Sequence, residues 1–176
     1  METTEKIVES YCRYIRNWLT VPNIKCGGQY EVDLLAVDVS ADSIQRFHLE
    51  CGVSISGGYS KLTAKAFSPE LLKERIHKAG QRRTIGYFID HKFRNPHVLE
   101  RLREYGFIEG NYRQIVVSWG ATPDAIEVAD REGIEVWDFR RLLLEIAEHH
   151  AEAKTYFTDD TARTIQLFAK ASLEVK

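Results

Sequence analysis

Two short apolar runs, residues 113–119 (RQIVVSW) and 134–137 (IEVW), constrain this chain most. A continuous apolar run of this length suits a strand buried on both faces. Between the two lies a helical stretch that opens at Thr122-Pro123-Asp124, carries Ile126, Ala129 and Asp130, and stops near Gly133. Asp138 then caps a further helix through Leu142, Leu143 and Ile146 to His149. Strand, helix, strand and helix at this spacing make a right-handed crossover between parallel strands. The expected class is α/β.

The first half of the chain reads differently. A helix starts at Thr3 or Thr4 and runs to about Leu19, with Val8, Tyr11, Ile15 and Trp18 at helical spacing. Val21-Pro22-Asn23 ends it, because Pro disfavours helix at the residue before it. A short strand at 24–26, the Gly27-Gly28 turn, a strand at 30–39, a turn at 41–43 and a strand at 46–55 read as an antiparallel meander. Ser56-Gly57-Gly58 is the one hinge-like break, and it is too short to separate one domain from another. A helix with Pro69 at its first position follows, to about Ala79. Residues 84–89 (TIGYFI) form a strand or an apolar connector. Asn95-Pro96 opens a helix that Gly106 stops, and an amphipathic helix begins at about 158. Residues 1–176 are thus expected to form a single domain with a mixed sheet, antiparallel meander plus parallel strands, flanked by helices.

Charge and cysteine content narrow the class further. The formal net charge is −2, whereas a non-specific nucleic-acid coat protein would be basic. Cys12, Cys26 and Cys51 are odd in number and widely spaced, which argues against a disulfide framework and against zinc. The start METTEKIVES lacks the basic and apolar regions of a signal peptide, and no apolar stretch approaches the ~20 residues that cross a bilayer. The expectation is a cytoplasmic protein without a membrane partner. No Gly-rich phosphate loop or nucleophile elbow is present.

Three acidic features stand in a telling order. The first helix carries Glu5 and Glu9, one strand carries Asp33 after the Gly-Gly turn, and the next strand carries Glu50. Adjacent antiparallel strands can set Asp33 beside Glu50, and two such carboxylates repel unless a cation or proton intervenes. Hard oxygen ligands of this kind suit Mg²⁺ or Mn²⁺.

Glu9, GGQYEVDLLAV with Asp33, and FHLECGVSI with Glu50 resemble the active-site core of the PD-(D/E)xK nuclease superfamily. The stretch IVVSWGATPDAIEVADREGIEVWDFRRLLLEI resembles the second half of Mrr-like restriction endonuclease domains. The resemblance spans roughly residues 5–148 and implies a restriction-endonuclease-like fold. It implies a metal-dependent nuclease acting on nucleic acid, DNA by preference, in restriction, repair or defence. Double-strand cleavage by this fold commonly implies a homodimer.

Residue by residue, Asp33 would bind metal, Glu50 would bind metal and orient the attacking water, and Glu9 would complete the metal shell. The superfamily's lysine stands two residues after the second acid, on the same strand face; here that residue is Gly52. Two substitutes are open: a lysine from elsewhere, with Lys61, Lys65 and Lys73 nearest in sequence after the strand, or His48 as ligand or acid/base group. Otherwise the chain is a catalytically silent nuclease fold that binds nucleic acid or a protein partner. Residues 73–83 and 90–94 are rich in basic groups, suited either to a phosphate backbone or to a solvated helix face. His149 and His150 end a helix, where cations are favourable.

Overall fold

The computed structural model describes residues 2–40, 42–55, 59–154 and 157–174. The Ser56-Gly57-Gly58 break and Ala41 of the expected turn lie outside these described residues. The protein is an α/β fold built on a five-stranded mixed sheet in the order β1-β2-β3-β4-β5. The strands are β1 (Leu19–Lys25), β2 (Glu31–Asp38), β3 (Gln45–Gly52), β4 (Tyr112–Ser118) and β5 (Ile134–Asp138). The first three pair antiparallel, and β3-β4 and β4-β5 pair parallel.

The first helix is shorter than expected. Helix α1 (Thr3–Ser10) continues as a π-helical turn, Tyr11–Ile15, and the chain leaves it at Asn17, whose φ of 57° is left-handed. Asparagine tolerates that conformation better than most side chains, so the stop precedes Pro22. Pro22 instead lies inside β1, opposite Leu34. Strand β1 is a sheet edge, where a missing N–H is tolerated. The helical periodicity through Trp18 and Leu19 therefore ran past the real boundary.

Alternation along the strands divides the core into two faces. Leu34 and Ala36 of β2, Leu49 of β3 and Ile115 and Val117 of β4 pack on one side against Val8 and Cys12 and against Leu142 and Ile146 of helix α6 (Phe139–Glu152). On the other side, Val116 and Ile134 meet Ala125 and Ala129 of helix α5 (Pro123–Arg131) and the aromatic run Ile85, Phe88 and Phe93. Helix α4 (Pro96–Glu104) covers Ile24, Val32 and Leu35 through Val98 and Leu102. Its Asn95 cap accepts a hydrogen bond from the His97 N–H, and Gly106 ends the turn at φ 76°.

The TIGYFI stretch is neither strand nor plain connector. After a bridge from Thr84 to Thr63, the chain enters a π-helical segment, Tyr87–Phe93. Phe88 and Phe93, five residues apart, both turn into the core, as a π-helical repeat allows. This segment lies over the face on which β3 presents His48 and Glu50.

Helix α7 (Asp160–Glu174) packs on α6, burying Ala162 and Gln166. At this junction His150 is fully buried, stacked on Phe157 at 4.0 Å, with neither ring nitrogen hydrogen-bonded among the described residues. Burial pushes its pKa from the ordinary 6.5 down to about 4, so His150 sits in the helix end as a neutral ring, not as a cation. Below pH 6.5 the unfolded chain takes up a proton that the native ring refuses until about pH 4. Stability should therefore fall across that window. Urea denaturation at pH 7, 5.5 and 4.5 should show a shallower acid loss in His150→Phe than in the wild type; equal losses would exclude His150 as the cause.

Candidate active site

Leu34 pairs with Leu49 and Leu35 with His48 across β2 and β3. One more step in that register sets Asp33 opposite Glu50, on the face opposite to Leu34 and Leu49. The backbone N–H of Cys51 donates to Asp33 Oδ2 at 2.7 Å, which locks the acid against β3. Asp33 is buried and Glu50 is fully buried, so both need charge compensation.

Lys92 provides it. Its Nζ lies 3.1 Å from Asp33 Oδ1 and 2.5 Å from Glu50 Oε2, and it donates to the Glu31 carbonyl at 3.2 Å. The lysine comes from the π-helical segment, over 40 residues past Glu50. Gly52 occupies the strand position where a side chain would share the face of Glu50. A Cβ there would overlap Phe88 Cζ and meet Cε2 at 3.2 Å. The same segment thus closes the strand position to any side chain and returns an ammonium group from above.

His48 completes the buried group. Its Nε2 is 2.7 Å from Glu50 Oε1, and the Phe93 ring stands edge-on at 4.9 Å. Burial, followed by the Lys92 charge, lowers the His48 pKa to about 3, so the ring is neutral and its Nε2–H donates to Glu50. The imidazole fixes one Glu50 oxygen and Lys92 the other.

The charges of the cluster do not balance. Burial, then Glu50, raises the Asp33 pKa to about 7, against the Lys92 charge. Burial raises Glu50 as well, and Lys92 counters it only in part. Burial by itself would lower Lys92, but Glu50 and Asp33 outweigh it and hold the ammonium charged. One cation faces two acids, so one negative charge, or one shared proton, is left over.

A third acid approaches from α1, and it is Glu5. Glu5, Glu31 and Asp33 each place a carboxylate oxygen within 4.8 Å of the others. The Glu2 N–H donates to Glu5 Oε2 at 2.9 Å, and burial raises the Glu5 pKa. Glu9, one turn further along, is directed elsewhere: it accepts from Thr20 Oγ1 at 3.0 Å and pairs with Arg13. Lys61 and Lys65 are exposed and make no ion pair with Asp33 or Glu50; Lys65 borders a separate cleft with Tyr59 and Ile76. Lys73 is also exposed, at the end of the short helix α2 (Pro69–Lys73).

Glu5, Glu31 and Asp33 open into a cleft of about 210 Å³, whose walls also include Gly52, Arg82, Tyr87 and Lys92, while Glu50 lies buried behind it. Two roomier clefts, about 480 Å³ beside Trp18 and Trp137 and about 540 Å³ beside Phe107 and Tyr112, contain none of the converging acids. We take the smaller cleft as the site, because chemistry follows the convergent groups and not the volume. Within 90–94, a signal for Lys92 was present as a basic cluster, but nothing local ties it to Glu50. No family model matches this chain, and comparison with curated proteins and with solved structures yields no match either.

Proposed function

We propose that this protein is a metal-dependent nuclease of the PD-(D/E)xK kind, hydrolysing phosphodiester bonds in DNA. The observation that carries this reading is Lys92 Nζ bridging Asp33 and Glu50, an acid–acid–lysine group assembled from two strands and a helix. It supports the active alternative over the silent one, because Lys92 provides the ammonium that Gly52 lacks.

The acids present fit a divalent cation. Glu5, Glu31 and Asp33 offer hard oxygen donors within a small radius; burial raises the pKa of Asp33 and Glu5, while the Lys25 ammonium holds Glu31 below its ordinary value. Asp33, with Glu5 and Glu31, would hold Mg²⁺ or Mn²⁺, which supplies Lewis-acid polarisation of the phosphate and a more acidic bound water. Glu50, expected as a metal ligand and water-orienting acid, instead has one oxygen held by His48 and the other by Lys92 and stands outside the Glu5–Glu31–Asp33 group, so its part is to position the Lys92 ammonium beside Asp33. Lys92 neutralises charge developing on the phosphate oxygens. Tyr87 and Phe88 wall the cleft beside these groups.

The test is nicking of supercoiled plasmid with Mg²⁺ or Mn²⁺. We expect cleavage that EDTA stops and that falls by roughly a hundredfold or more in Asp33→Ala, Glu50→Ala and Lys92→Ala, each removing a charge-handling group. Lys61→Ala and Lys65→Ala should cleave at the wild-type rate. Cleavage that survives Lys92→Ala sinks the assignment, and no cleavage of any DNA by the folded wild type returns the silent fold.

A further inference from the structure

Beside the cleft, the chain between β3 and the π-helical segment forms a hairpin of α2 and α3 (Arg75–Gln81). Its base is pinned. Gln81 Oε1 accepts from the Ser68 N–H at 2.7 Å, and Arg83 Nε donates to the Tyr59 carbonyl at 3.2 Å. Its outer part is bare. Residues 73–79 are all exposed, neither helix buries any residue, and Ile76 is 77% exposed. Only the far end of α3 is half-buried, at Gly80 beside Tyr59 and at Gln81, so its exposed first turn adds nothing to the core.

Its charge is also set apart from the rest. Residues 69–83 hold five Lys and Arg against two Glu, in a chain whose net charge is −2. Arg75, Lys78 and Arg82 have no ion-pair partner among the described residues, while Glu74 pairs with His77. Arg82 lines the cleft that holds Asp33 and Lys92, so the cations lead from the acids outward along α3.

We propose that α3 is the docking element for duplex DNA, seated in the major groove so that the flanking backbone reaches the cleft through Arg82. This deepens the nuclease reading and rests on it for the identity of the cleft. Three features select the occupant. A helix is about 10–12 Å across and the B-DNA major groove about 12 Å wide, so the exposed turn that carries Arg75 and Lys78 is of a size to enter between two phosphate walls. The A-form major groove of RNA is too narrow for it. Single strands are held on aromatic platforms, and residues 73–79 carry no Phe, Tyr or Trp.

Fluorescence anisotropy with a labelled DNA duplex, in EDTA so that nothing is cut, tests the surface separately from catalysis. The full-length Lys73→Ala/Arg75→Ala/Lys78→Ala protein should lose roughly tenfold or more in affinity, and its log K against log salt slope should flatten by roughly 2 to 3. Thermal denaturation should show the fold unchanged, since the three side chains are exposed. Arg75→Lys/Lys78→Arg should bind as the wild type does. Equal binding by the triple variant, absence of duplex binding by the wild type, or tighter binding of single-stranded DNA or RNA overturns the proposal. If plasmid cleavage fails while α3-dependent binding persists, the catalytic reading falls and the docking surface stands. If cleavage holds while the triple variant binds normally, only the docking surface falls.

Discussion

Lys92→Met should destabilise the fold by about 3–5 kcal/mol, as breaking a buried ion pair from one side does. The Lys92 side chain is only 13% exposed, and its two partners lie deeper still. Methionine fills much of the same volume, so the loss is one of charge and not of packing. Glu50 would keep only the neutral His48, and Asp33 only the Cys51 N–H, with Glu5 and Glu31 as further acids nearby.

The loss should depend on pH in a defined direction. Burial already holds both acids above their ordinary values, the Glu50 charge adds to the rise at Asp33, and removing the ammonium raises both further. A carboxyl whose native pKa is raised binds protons in the folded state before the unfolded one, so the variant gains stability as pH falls from about 7 towards 4. Urea denaturation at pH 8 and pH 5 should show the gap to wild type narrowing at the lower pH. Adding Asp33→Asn and Glu50→Gln to Lys92→Met should recover much of the loss. A gap that is constant with pH and not rescued would mean that the lysine stem, not its charge, holds the segment in place.

Gly52→Lys, which puts a lysine on the strand two residues after Glu50, should fail for a steric reason. The new Cβ would fall on the Phe88 ring, itself 2% exposed and packed among Ile85, Ile89 and Val116. Overpacking of this kind costs about 1–3 kcal/mol and sometimes more. Phe88→Ala alone should cost about 3–5 kcal/mol through the cavity it leaves. Combined, the two should cost clearly less than their sum, because each removes the other's cause. Chemical denaturation of the four proteins measures that coupling, and simple additivity would show that Gly52 and Phe88 do not compete for one space.

Local chemistry carried the class of this fold. The two apolar runs around a Pro-initiated helix predicted β4, α5 and β5 within a residue or two, and Asn95-Pro96 and Gly106 bounded α4. These features are legible because caps, breakers and period depend on neighbours along the chain. The pairing of Asp33 with Glu50 was legible too, since a short meander leaves few registers open. The end of the first helix was not: Trp18 continues the apolar period of α1, yet it leaves the helix to stack on Phe47 of β3 at 4.0 Å.

What only the tertiary structure decided is which distant groups meet those two acids. Glu5 and Glu9 are equivalent by sequence, one turn apart on the same helix face, and the packing of α1 sets Glu5 beside Asp33 while Glu9 meets Thr20. Lys61, Lys65 and Lys73 are nearer to Glu50 along the chain than Lys92, but the packing of Phe88 and Phe93 under a π-helical turn delivers Lys92. The sequence by itself determined strands β2 to β5, their order of acids and the absence of a lysine at Gly52. Packing determined the replacement, because a side chain's position in space follows from the whole helix it rides on and not from its distance along the chain.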